Sequence, residues 1–148
     1  MSFLEPRDIF AKESSTARQF LCLRASKVNF HVGPGLHYPV DWVVTYKHMP
    51  VLVVSSFGQW RRVKMFDGTV DWVHKSLLST KKTCLTQREV FLHASFAKDS
   101  AHMAQLGPNV IVIPIKTKER WVKVLVTTDD SDKLVGWVRV EDLWGETG

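Results

Sequence analysis

The chain has 148 residues, 45% hydrophobic and 24% charged, a globular composition that excludes a disordered or low-complexity protein. Its net charge is +5 and unevenly spread, with ten Lys/Arg against six Asp/Glu in residues 1–80 (+4) and ten against nine in residues 81–148 (+1). That excess suits loose contact with anionic partners but is not the dense basic stripe of a dedicated nucleic-acid binder, and no apolar run is long enough to span a membrane as a helix.

Residues 1–19 lack the apolar centre of a signal peptide and are expected to form a mobile tail. The chain is then either cytoplasmic or a periplasmic or cell-envelope protein whose leader was removed. "VNFHV" (28–32) begins like a strand and stops at Gly33-Pro34-Gly35. Glycine supplies unusual φ and proline withholds a ladder donor, so this tripeptide reads as a strand exit into a long loop or bent strands. "PVLVV" (50–54) is an apolar strand. "WRRVKM" (60–65) and "VDWV" (70–73) flank an Asp67-Gly68 turn, a hairpin signal. "HKSLLS" has room for one 3₁₀ turn before a last short strand. Strands follow again at "NVIVIPI" (109–115), "RWVKVLVTT" (120–128) and "LVGWV" (134–138), with a polar loop over 129–133 and a second 3₁₀ turn in "RVEDLW".

The later elements repeat the earlier ones. Cys22, Leu23, Val28 and His31 recur as Cys84, Leu85, Val90 and His93, all at an offset of 62, while "QWRRVKM" faces "RWVKVLV" and "VDWVHKSLL" faces "VGWVRVEDL" at offsets of 61 and 65. Such self-similarity marks two copies of one unit, residues 20–79 and 82–145, with insertions confined to loops. Short strands at regular spacing make each copy a small barrel, so the expected fold is all-β, two small barrels in tandem.

Val28-Asn29-Phe30-His31-Val32-Gly33-Pro34, Trp60, Trp72-Val73-His74 and Leu143-Trp144-Gly145 together resemble the bacterial SH3-like (SH3b) domain, in the tandem form of alphaproteobacterial envelope proteins. The resemblance covers residues 20 to 146. Two positions depart from its pattern: His31 replaces the usual Arg, and Asp71 the usual Gly before the late Trp. The resemblance implies an all-β fold of two small SH3-like barrels in tandem, used for binding, not catalysis, often of peptidoglycan or its peptide stems.

Alternation puts Arg61, Val63 and Met65 on one face of their strand and Trp60, Arg62 and Lys64 on the other. If Val63 points inward, Trp60 lies outside beside two cations, where an indole stacks on a sugar or an apolar side chain. The same count places Trp121 with Lys123. Trp72, His74 and Leu77 resemble positions that line the ligand groove of SH3 barrels, Trp72 in the aromatic slot and His74 in the proline slot. Tyr38 and Trp42 are expected to form the opposite wall. The competing reading is that the tryptophans fill barrels too small to pack without them.

No Cys/His cluster has metal spacing, and His31 and His93 read as structural or solvated, so neither a metal nor a cofactor is expected. Cys22 and Cys84 sit at matching places in different copies and read as free buried thiols. The carboxylates Asp67, Asp129, Asp130 and Asp132 are scattered on loops and form no convergent acid/base pair, so no enzyme is expected. The expected function is a non-catalytic module binding peptidoglycan or an envelope protein or peptide. The alternative is a cytosolic nucleic-acid-associated SH3-like protein.

Overall fold

The structure, a computed structural model, describes residues 14–147, with the side chains of residues 14–17 excepted. It is all-β and divides into two compact units: one runs to Thr80 without His48–Pro50, the other comprises those three residues and Lys81 onward. No described helix is long and apolar enough to cross a membrane.

The first unit holds β1 (Ser14–Leu23), β2 (Val28–His31), β3 (Val40–Val44), β4 (Pro50–Phe57), β5 (Trp60–Lys64), β6 (Val70–His74), a 3₁₀ turn (Lys75–Leu77) and β7 (Leu78–Ser79). The second holds β8 (Cys84–Thr86), β9 (Val90–His93), β10 (His102–Leu106), β11 (Ile111–Lys118), β12 (Trp121–Thr127), β13 (Lys133–Arg139), a 3₁₀ turn (Val140–Asp142) and β14 (Leu143–Gly145). The sheet orders are β3-β2-β6-β5-β4-β1-β7 and β10-β9-β13-β12-β11-β8-β14, the same sequence of strands shifted by seven. The repeat in the sequence is therefore a repeat in topology. Each unit is one sheet with two end strands among the described residues, not a ring closed by backbone pairing. Strand β1 begins at Ser14, inside the segment expected to be a tail, and residues 1–13 of that expectation lie outside the described residues.

The cores follow from alternation. Val28, Phe30, Val51, Val63 and Val73 are fully buried in the first unit, and Leu92, Val112, Val122, Val124 and Val138 in the second. Burying such side chains contributes about 1.5–3 kcal/mol each relative to leaving them in water. The Asp67-Gly68 signal forms its turn: Met65 N–H donates to Thr69 O (2.8 Å), Asp67 Oδ1 accepts from Thr69 N–H (2.9 Å), and Gly68 takes φ of +90°.

Gly33 and Gly35 serve a different purpose from the one expected. Neither is among the positive-φ glycines, which are Gly58, Gly68 and Gly145. They make room instead, since a Cβ on Gly33 would stand 2.4 Å from the Tyr38 ring and one on Gly35 2.6 Å from the His37 ring. The loop folds back on itself through Val32 N–H to Pro39 O (3.0 Å) and Tyr38 N–H to Gly35 O (3.2 Å), which carries Tyr38 over Gly33.

Candidate functional site

The outer face of the first sheet is built by cross-strand pairs, whose members share a face. Trp60 on β5 pairs with His74 on β6, Arg62 pairs with Trp72, and Trp72 pairs with His31 on β2. This is the face opposite Val63, as alternation required. The expectation that Trp60 would be exposed there is corrected, because it keeps only 9% of its surface. The His31 and His74 rings close over it edge-on, with centroids 5.1 and 5.4 Å from the indole.

Both imidazoles are held by their Nδ1 atoms. His31 Nδ1 lies 2.9 Å from Tyr38 O, a carbonyl that only accepts, so His31 carries its proton on Nδ1 and leaves Nε2 as an acceptor. His74 Nδ1 accepts from Ser76 N–H at 3.2 Å and lies 2.8 Å from Ser76 Oγ, so its proton sits on Nε2, a donor. The Gly33–Tyr38 loop thus orients one histidine and the 3₁₀ turn the other.

These residues border a cleft of about 210 Å³ lined by Lys27, Asn29, His31, Leu36, Trp60, His74 and Leu77. Trp60, His74 and Leu77 were expected there. Lys27, Asn29, His31 and Leu36 were not, and they come from β2 and its flanking loops. Tyr38 contributes through its carbonyl and is not a wall. Trp72 is buried and does not line the cleft, nor does Arg62. Trp42 lies elsewhere: it pairs with Phe30, whose side chain is core, so it stands on the inner side of the sheet's rim beside Met65 and Asp67. Its separation has a local cause. The β2–β3 ladder slips between Phe30 and His31, so Val40 faces His31 while Trp42 faces Phe30, and this bulge puts two residues of one strand on opposite faces.

Trp121 belongs to the second unit, which builds a related arrangement. His93 meets the Trp121 indole edge-on at 5.0 Å, and Arg139, at the place of His74, sets its guanidinium 5.3 Å from the same ring. Arg139 also pairs with Glu141 at 3.0 Å, so this unit satisfies its own cation. Phe91 stacks on His102 at 4.1 Å, and His102 meets His93 at 4.7 Å. Burial, with repulsion from His102 and Arg139, holds His93 below the usual imidazole range.

No group of three or more His, Cys, Asp or Glu among the described residues is placed to hold a metal ion. Neither cysteine is in a disulfide and both are fully buried, and burial together with Glu146 pushes the Cys84 thiol up to about 12.

A family model described as bacterial SH3 domain matches residues 24–80, the stretch that runs from β2 to β7. No curated protein matches the chain. Among solved structures, NlpC2 and NlpC1 of Trichomonas vaginalis are each similar at 11% identity and TM-score 0.38, over 88% of this chain and 49% and 48% of theirs. An NlpC/P60 family protein of Bacillus cereus ATCC 10987 is similar at 12% identity and TM-score 0.38, over 87% of this chain and 57% of its own. The chain thus spans about half the length of the structures it matches.

Proposed function

We propose that the chain is a non-catalytic binding module of the bacterial cell envelope, and that the His31–Trp60–His74 cleft takes a sugar or a short peptide stem of peptidoglycan. The observation that carries this reading is the cleft itself, an indole floor between an imidazole acceptor and an imidazole donor, on the residues that match the bacterial SH3 domain. A hydroxyl or an amide both donates and accepts, which is what two such nitrogens complement. Lys27 at the rim suits a carboxylate, and Leu36 and Leu77 suit an alkyl group. At about 210 Å³ the cleft is smaller than the roughly 300–1,000 Å³ of a cofactor-sized site and fits one sugar ring or one or two amino-acid residues.

Binding without turnover is the reading these side chains favour. No carboxylate or thiol lines the cleft, and Cys84, in the second unit, has its thiol pushed up by burial and Glu146, away from the thiolate form a nucleophile needs. A single lysine at the rim also suits nucleic acid poorly, because phosphate-backbone binding draws on several cations.

The test is retention of the full chain on isolated peptidoglycan sacculi, with heparin beads in parallel at moderate salt. The protein is expected on the sacculi, with Trp60→Ala cutting retention at least tenfold and Lys27→Glu, an exposed change that leaves packing alone, several-fold. Retention on heparin alone would favour the nucleic-acid reading, and sacculus binding indifferent to both substitutions would move the site elsewhere.

A further inference from the structure

The two copies differ at their end strands. Strand β3 reads Val40-Asp41-Trp42-Val43-Val44 and ends the first sheet among the described residues. Val40, Trp42 and Val43 are exposed, Trp42 at 58%. An apolar end strand is ordinarily guarded by a charge, a proline, a bulge or a covering loop; this one has no lysine or proline, and its guards are the bulge and the single charge of Asp41, which a partner's cation would neutralise. Its counterpart β10 reads His-Met-Ala-Gln-Leu, with Leu106 buried and His102 stacked on Phe91, so Met103 is its one exposed large apolar side chain.

Charge is the second difference. Asp71, with 6% of its surface exposed, stands where the second copy has Gly136. Its carboxyl is hydrogen-bonded to the exposed Asp41 of β3, and its Oδ2 is buried without a hydrogen-bond partner. Asp67 lines a further small cleft with Trp42, Val43 and Met65. Three carboxylates therefore gather along the apolar end strand of the half of the chain that carries +4. Two carboxyls in hydrogen-bonding contact must share a proton, and with an unmet buried acceptor beside them they form a site that a cation completes in the proton's place.

We propose that β3 is a strand-addition site for an extended segment of a partner protein that sets a lysine or arginine against Asp41, with apolar residues on either side. Main-chain pairing along Val40–Val44 supplies affinity, and the cation at Asp41 and Asp71 supplies register and selectivity. A second copy of β3 is the poorer occupant. Antiparallel pairing about Trp42 sets Asp41 against Val43 of the other copy, and the strand carries no cation to offer. This inference is independent of the sacculus reading, because Trp42 and the Trp60 cleft lie on opposite faces.

The experiment uses the full chain and two synthetic decapeptides of alternating threonine and valine, one with lysine at its centre and one with glutamate. The lysine peptide is expected to bind at least tenfold tighter at low salt and to slow hydrogen exchange at the amides of Val40–Val44. Asp41→Asn is expected to erase the tenfold preference, and Trp42→Ser to weaken both peptides. Equal affinity for the two peptides, or unprotected β3 amides in the presence of bound peptide, would overturn the proposal. So would β3 protection that rises with protein concentration alone, since a second copy would then occupy the edge.

Discussion

Replacing Gly136 by alanine is expected to lower the stability of the second unit by about 1–3 kcal/mol, the range for forcing an extra carbon into a packed core. The new Cβ would meet Leu92 Cγ at 2.5 Å and the carbonyl oxygen of His93 at 2.9 Å. Leu92 is fully buried and the carbonyl belongs to the neighbouring strand, so neither yields without moving β9 against β13. Urea unfolding of the full chain followed by tryptophan emission reads the effect through Trp121 and Trp137. An unchanged midpoint would mean that β9 is free to shift and that the contact is not tight in solution.

Replacing Asp71 by asparagine is expected to have the opposite sign, and only at neutral pH. Burial, then hydrogen bonding and repulsion from Asp41, push the Asp71 carboxyl up to about 6 from an ordinary 3.8. Between those two values the folded protein holds a proton that the unfolded chain has released. The stability this proton contributes is complete below about pH 4 and is lost as the pH rises through 6. Asparagine needs no proton and donates to Asp41 through its amide. Asp71→Asn is therefore expected to match the parent protein near pH 4 and exceed it by about 2 kcal/mol at pH 7.5, the rise from 3.8 to about 6 taken at about 1.4 kcal/mol per pH unit and discounted for solvent screening. Stability curves against pH that stay parallel from 4 to 8 would show that Asp71 does not carry the dependence.

These two residues occupy one position of the repeat, and they mark what the sequence made legible. The strands were readable because Val51 and Val53, Val63 and Met65, and Val122, Val124 and Val126 fall at every second position, with turn residues between the runs, the period of a sheet face. The departure at Asp71 was readable too, but not its consequence, which required the position of Asp41 across the sheet. The face of Trp60 followed from alternation. Its shelter did not, since His31 lies far away in sequence and reaches the indole only because β2 pairs with β6. A signal for it was present: His31 with Trp60 recurs as His93 with Trp121, and a pair kept in both copies of a repeat is a candidate contact. Trp42 was misplaced because one residue of slippage in β3 reverses facing, and nothing in "VDWVV" announces a bulge. Gly33 and Gly35 were read for φ when their use is space, which depends on where Tyr38 and His37 return.

The repeat also bears on why one unit is read as the binding half. At the position of His74, the second copy has Arg139, which lies over the Trp121 ring and is already paired with Glu141. An indole whose neighbouring cation is spent within the fold offers less to a ligand than one between two imidazoles with free ring nitrogens. The account thus predicts unequal copies, not a simple doubling of one site.

That inequality is best measured by nuclear magnetic resonance, titrating the full chain with a soluble muropeptide and following the indole N–H signals. The account predicts progressive shifts at Trp60, accompanied by the ring signals of His31 and His74, with Trp121 unmoved. Shifts at Trp121 without Trp60, or no indole shift at a muropeptide concentration that saturates binding, would contradict it.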